Sequence, residues 1–177
     1  MTNKDFRQLT AFARQDGLFM GILWITALAC FIAGFKSQLL MLLCMGLAIF
    51  TPFFAYKRLK AFRDYVLEGN ISFAKAWAYC ILIFCYGSLI LAVGVFAYFA
   101  FLDNGYIYEQ VNRVYSQPEM KPALQQIGMT VKDIMTLYSA YRPIDFAMQS
   151  ITSNITMGIF ISLPIAMLSR RNTIINR

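Results

Sequence analysis

Histidine is absent from this 177-residue sequence, and charged residues make up only 14% of it. Without histidine, the chain lacks the commonest general base, proton shuttle and metal ligand. A soluble domain of this size carries more charge, whereas 59% of the residues here are hydrophobic. The length suffices for one domain and not for two. These deficits favour a single membrane domain over a soluble one, and we expect no cofactor and no metal.

Cysteine is also sparse, and its four positions all lie inside apolar runs. Cys80 and Cys85 are five residues apart, so neither a CxxC redox pair nor the spacing of a zinc site is present. We interpret the cysteines as small apolar side chains buried in helices or lipid. The net charge of +7 comes from short basic clusters beside apolar runs. That placement predicts contact with anionic lipid headgroups and no binding of nucleic acid.

Four long stretches of the sequence contain no charged residue. Because a helix needs about 20 apolar residues to cross the hydrocarbon core, each stretch is long enough to span a bilayer. The sequence therefore predicts an all-α integral membrane protein whose single domain covers residues 1–177. The four transmembrane helices are expected at about residues 17–35, 38–56, 77–102 and 146–168, with a connector at residues 57–76 and an outer loop at residues 103–145.

The basic residues predict the orientation of these helices. Eleven of the sixteen lie in the N-terminal segment, in the connector or in the C-terminal tail, and five lie in the two loops of the opposite side. Because lysine and arginine accumulate in cytoplasmic segments, we expect both termini and the connector to be cytoplasmic.

Both longer connections contain helical patterns. In residues 57–68 the apolar side chains recur at helical spacing, which predicts a short amphipathic helix in the cytoplasmic headgroup layer. The outer loop is too long to be structureless. Its apolar residues predict two short amphipathic helices, separated by Pro118 and Pro122, that cap the bundle or lie on the outer leaflet.

The end of the connector carries a distinctive motif that comprises Arg63, Asp64, Gly69, Asn70, Ile71, Ser72, Phe73 and Ala76. Together with the four-span layout and the first span opening on two glycines, it resembles the bacterial membrane-protein family catalogued as domain of unknown function 4199. The resemblance implies the inner membrane of a bacterium, and it implies no mechanism, because the family has no established activity. The residues themselves favour a structural role, in which Gly69 permits a sharp exit, Ser72 caps the next helix and Phe73 seats it at the interface. A site for a partner or a lipid is the alternative.

Small residues recur in the first and third spans. Gly17 and Gly21 form a GxxxG pattern, and Gly87 and Gly94 are seven residues apart. Such residues let helices approach closely. We expect packing within the chain rather than dimerisation.

The fourth span is polar in its outer half, where Gln149, Ser153, Asn154 and Thr156 lie. Polar groups in lipid need partners, so this face should look inward or into water. The two interpretations are hydrogen bonding between helices and a polar cavity open to the periplasm.

Three charged residues border the outer ends of the spans, namely Asp103, Arg142 and Asp145. We interpret the two carboxylates as helix-terminal charges, with cation binding or proton exchange as the alternative.

Three functions are compatible with these patterns. The first is a non-enzymatic accessory subunit that binds a lipid or a membrane-protein partner, including a second copy of itself. The second is a small oligomeric transporter or channel that uses the polar face of the fourth span, since four spans are few for a carrier. The third is a membrane enzyme at the headgroup level, which no nucleophile–base pair supports. The first is the function we expect.

Overall fold

The computed structural model describes residues 3–170, and every regular element in that range is helical. Four of the helices are long and apolar enough to span a membrane, which confirms the predicted all-α membrane class. In chain order the helices are α1 (Asn3–Gly34), α2 (Gln38–Val66), α3 (Phe73–Phe101), α4 (Tyr106–Tyr115), α5 (Lys121–Gln126), α6 (Val131–Ala140) and α7 (Pro143–Ser169), with a 3-10 turn at Pro118–Met120 before α5.

Helices α1 and α2 form a hairpin that is closed by residues 35–37. Gly34 lies so close to the start of α2 that an added Cβ atom would be 3.1 Å from the backbone nitrogen of Met41. The backbone N–H of Lys36 donates to the carbonyl of Ala33 at 3.0 Å, and that of Ser37 donates to the carbonyl of Gly34 at 3.2 Å. The absence of a side chain at residue 34 therefore lets α2 turn back directly against α1.

Helix α2 extends well beyond the apolar run that predicts it. The cytoplasmic helix predicted at residues 57–68 is not a separate element, because residues 57–66 are the last turns of α2. The physical reason is that no glycine or proline interrupts the chain between Pro52 and Gly69. Gly69 has a φ of +82° and its N–H donates to the carbonyl of Arg63 at 2.9 Å, which is a left-handed helix cap.

The long helices are arranged in the order α2, α1, α3, α7. Helix α3 packs extensively against both α1 and α7, α1 also packs against α2, and α2 makes few contacts with α3 or α7. Glycines permit the closest approaches. An added Cβ atom at Gly21 of α1 would lie 2.5 Å from the Cβ of Ile90, and one at Gly158 of α7 would lie 2.5 Å from the Cγ of Phe84. Helix α3 therefore approaches both α1 and α7 so closely that its side chains lie directly against the backbone of a glycine in each neighbour.

The two ends of the bundle differ in packing. We call the end that holds residues 67–72 the connector end, and the opposite end, with residues 35–37, the loop end. All buried residues of α2 lie between Thr51 and Arg63, and no residue from 38 to 50 is buried. The bundle is therefore closely packed at the connector end, whereas the first half of α2 is covered by little of the chain.

The loop between α3 and α7 contains one more helix than the two predicted. Gly128 has a φ of +66° and separates α5 from α6, so the second predicted helix is two helices in the structure. Helix α6 then begins with a capping box, in which the side chains of Thr130 and Asp133 each accept from the other residue's backbone N–H. Ring contacts join the loop to the bundle, because Tyr138 of α6 lies 5.1 Å from Phe146 of α7, measured between centroids.

Candidate functional site

A cleft of about 430 Å³ lies where α2 and α7 face each other. It is lined by all four long helices, and its walls are mainly apolar. Since α2 and α7 are the two edges of the row of helices and contact each other little, the cleft opens sideways between them. Its lining includes Trp24 and Phe31 of α1, Ala48 and Thr51 of α2, Phe84 of α3 and Asn154 of α7.

The cleft contains a few hydrogen-bonding groups and no charge. The indole Nε1 of Trp24 donates to the hydroxyl of Thr51 at 3.1 Å, and Thr51 donates to the carbonyl of Leu47 at 3.2 Å. The amide nitrogen of Asn154 donates to the carbonyl of Ser150 at 2.8 Å. No carboxylate or cation is present among the lining residues, all of which lie within residues 3–170. The cleft therefore suits an apolar ligand with little polar surface and offers no acid–base chemistry.

An ion pair with a buried carboxylate lies towards the connector end. Asp16 of α1 is only 2% exposed, and its carboxylate accepts a hydrogen bond from the Nε of Arg58 in α2 at 2.7 Å. The terminal guanidinium nitrogen of Arg58 contacts the same oxygen, and the hydroxyl of Tyr79 in α3 donates to the other oxygen. Tyr79 also stacks on Phe62 of α2, with ring centroids 4.4 Å apart. One carboxylate thus joins three of the long helices.

The motif residues at the connector end make a second set of contacts. Arg63 is 9% exposed and pairs with its neighbour Asp64, with its Nε 2.7 Å from one carboxylate oxygen. The Nη1 atom of Arg63 donates to the carbonyl of Ser169 at 3.0 Å, so Arg63 joins the ends of α2 and α7. Ser72 accepts a weak hydrogen bond at 3.4 Å from the backbone N–H of Lys75 at the start of α3.

Phe73 of the motif stacks on Trp77 one turn further along α3, with ring centroids 6.2 Å apart. These contacts of Arg63, Ser72 and Phe73 all lie at the ends of helices.

The predicted charges of the loop end each have a local partner. One carboxylate oxygen of Asp103, which is 8% exposed, accepts from the backbone N–H of Ile107 at 3.0 Å, at the start of α4. Arg142 and Asp145 form an exposed pair at the start of α7, with nitrogen–oxygen distances of 3.0 and 3.1 Å. The three residues thus lie at the starts of two different helices.

The polar side chains of α7 do not share one environment. Asn154 lies in the cleft, but Gln149, Ser153 and Thr156 are exposed on the face opposite the buried side of the helix. Of the two surroundings expected for this face, the bundle interior and water, the interior holds Asn154 but none of these three residues. The physical reason is that Gly158 and its neighbours on the other side of α7 permit closer packing against α3. Gln149 borders only a shallow depression at the start of α7, with Asp145 and Thr152.

The glycines predicted to pack helices lie between α1 and α3. Gly17 faces the Cβ of Tyr86, and Gly87 faces Met20, with an added Cβ atom 3.1 Å from its Cγ. Gly94 faces Ile25, 3.0 Å away by the same measure. Within this chain, all of these glycines serve the contact between the first and third spans.

Sequence reasoning missed Arg58, Tyr79, Trp24 and Thr51. A signal existed for Arg58, because Asp16 precedes an apolar run and a carboxylate at that depth needs a cation on the same side. No pattern pointed to the hydrogen bond between Trp24 and Thr51. Among the residues that the structure describes, no group of three or more cysteine, aspartate or glutamate side chains could hold a metal ion.

Four helices that are long and apolar enough to cross a bilayer define the class of this chain, which is a multi-pass helical membrane protein. Residues 15–171 match the family model described as "Protein of unknown function (DUF4199)", so the chain belongs to that family. No curated protein and no solved structure is significantly similar to it.

Proposed function

We propose that this chain is a non-enzymatic lipid-binding protein of the bacterial inner membrane, with both termini in the cytoplasm. Its ligand is a lipid acyl chain, which enters the cleft sideways between α2 and α7. The observation that carries the proposal is the cleft itself, with its apolar walls and its lateral opening. The basic residues of the connector end would rest among anionic headgroups on the cytoplasmic side.

The position of the cleft supports an acyl chain as the ligand. Its lining residues in α2 run from Cys44 to Thr51, and those in α7 run from Ser150 to Ile161. Both segments lie inside helices long enough to span a bilayer, so the opening faces hydrocarbon rather than water. A membrane-embedded opening is accessible to lipid tails without passage through water. The hydroxyl of Thr51 and the amide of Asn154 lie near the midpoints of their helices, away from the headgroup end of such a tail, and each keeps its hydrogen bond to the protein.

Trp24 provides a direct test, because the protein has two tryptophans and only Trp24 lines the cleft. Replacing the other tryptophan, Trp77→Phe, isolates its fluorescence. In vesicles of lipids brominated on the acyl chain, we expect strong quenching of Trp24, although its side chain is only 8% exposed. Filling the cleft with Ala48→Phe should reduce that quenching at least about twofold, because an aromatic ring takes the volume of the tail.

The matched control is Gly46→Phe, which adds the same ring to the same helix outside the cleft, at a position with nothing within 4 Å of an added Cβ atom. It should leave the quenching of Trp24 unchanged. Equal quenching in the Ala48→Phe and Gly46→Phe proteins would show that no lipid tail enters the cleft, and would overturn the proposal.

A further inference from the structure

The exposed face of α7 carries a stripe of polar side chains that no other helix of the bundle covers. We call Gln149, Ser153 and Thr156 the α7 stripe. They are spaced by four and three residues, and all three are exposed. Within the described chain, the amide nitrogen of Gln149 donates to the hydroxyl oxygen of Ser153 at 3.3 Å. The other N–H and the carbonyl oxygen of this exposed side chain are left for a partner outside the described chain.

The depth of the stripe makes this exposure costly in a monomer. Helix α7 has 27 residues, or a length of about 40 Å at a rise of about 1.5 Å per residue. Thr156 lies at its midpoint, and Gln149 lies about 10 Å towards the loop end. Both positions fall within a hydrocarbon core about 30 Å thick that is centred on the helix. A carboxamide there faces lipid unless another polar group covers it, and lipid offers none.

We propose that the α7 stripe is the interface of a parallel homodimer, in which α7 of one chain packs against α7 of a second copy. Two copies inserted with the same orientation can form a symmetric pair only about a two-fold axis perpendicular to the membrane. Such an axis places Gln149 opposite Gln149 at the same depth. The carboxamide has both donors and an acceptor, so two of them can hydrogen-bond each other directly. The spacing of four and three residues suits helices that cross at a small left-handed angle.

Complementarity favours a second copy over other occupants of this face. The stripe is uncharged and self-complementary, and Ser153 and Thr156 would also meet their counterparts across the axis. Below them, Phe160 continues the same face and is 65% exposed. The homodimer is independent of the cleft, because Asn154 and the cleft lie on another side of α7. The stripe can therefore bind a second copy whether or not the cleft binds lipid.

The test is cysteine cross-linking in membranes, with the full chain after replacement of its four cysteines by alanine. Ser153→Cys should form a disulfide-linked dimer on oxidation. The control is Ile49→Cys on α2, which is 64% exposed and lies at a similar distance from the loop end. We expect at least about tenfold more dimer from Ser153→Cys. Equal cross-linking at the two positions, or more at Ile49→Cys, would place any self-association elsewhere and overturn the proposal.

A second measurement removes the hydrogen bonds without cysteine chemistry. Energy transfer between differently labelled copies in vesicles reports the dimer at increasing dilution in lipid. Gln149→Leu should weaken dimerisation about three- to tenfold, which is the range for loss of an interhelical hydrogen bond. Because Gln149 is exposed, this variant should keep the thermal stability of the monomer. An unchanged dimer fraction in Gln149→Leu combined with Ser153→Ala and Thr156→Val would overturn the proposal.

Discussion

At the scale of single residues, Asp16 is a buried charged group whose replacement should be costly. Its carboxylate is 2% exposed and accepts from both Arg58 and Tyr79, whereas Arg58 keeps 38% of its side chain exposed. Asp16→Asn removes the charge and leaves the guanidinium without its partner. We expect a loss of about 1–3 kcal/mol, below the value for a fully buried pair because water still reaches Arg58. Thermal unfolding in detergent measures it.

The same substitution at an exposed ion pair is the control. Asp145 pairs with Arg142 at the surface, with side-chain exposures of 35% and 76%. Asp145→Asn should therefore cost clearly less than Asp16→Asn. If Asp16→Asn and Asp145→Asn lowered the stability equally, the buried pair would not be a main contact of the connector end. A double replacement with Arg58→Gln should recover part of the loss, since no unpaired charge then remains.

At the scale of helices, the close contact of α7 with α3 depends on one glycine. An added Cβ atom at Gly158 would lie 2.5 Å from the ring of Phe84, which is 2% exposed and cannot move freely. Gly158→Ala should therefore push α7 away and destabilise the bundle by about 1–3 kcal/mol, the usual cost of overpacking. Thermal unfolding of the purified protein checks this value.

Gly46 on α2 offers the matched comparison, because an added Cβ atom there meets nothing within 4 Å. Gly46→Ala should be neutral or slightly stabilising, since alanine has the higher helix propensity. A destabilisation as large as that of Gly158→Ala would mean that conformational freedom, rather than contact with Phe84, explains the need for glycine.

The sequence predicts elements better than it predicts their arrangement. The four long helices follow from apolar runs, because length and hydrophobicity alone decide whether a helix can span a bilayer. The partner of Asp16 lies 42 residues away, and its identity depends on the register of the α1–α2 hairpin. The cleft and the outward α7 stripe depend on which helices become neighbours. That choice is made by contacts such as Gly158 with Phe84, which local periodicity does not contain.

At the scale of the whole molecule, the structure gathers the basic segments at one end. Arg58 pairs with Asp16, and Arg63 reaches Ser169, so the first half of α1 and the ends of α2 and α7 lie together towards the connector end. Arg171 and Arg177, which also support the predicted orientation, lie outside the described residues. Since basic segments stay in the cytoplasm, the connector end should be cytoplasmic and the loop end periplasmic.

Labelling of single cysteines in a cysteine-free chain tests this orientation. Tyr65 at the connector end is 89% exposed, and Ile127 in the loop between α3 and α7 is 63% exposed. In intact spheroplasts, a membrane-impermeant maleimide should label Ile127→Cys and leave Tyr65→Cys unlabelled, because only the loop end faces outward. Permeabilisation should then expose Tyr65→Cys to the reagent, which controls for its reactivity. Labelling of Tyr65→Cys before permeabilisation, with Ile127→Cys protected, would show that the topology is inverted. The lining of the cleft lies in the middle and loop-side parts of the helices, so the cleft would then lie nearer the cytoplasmic leaflet.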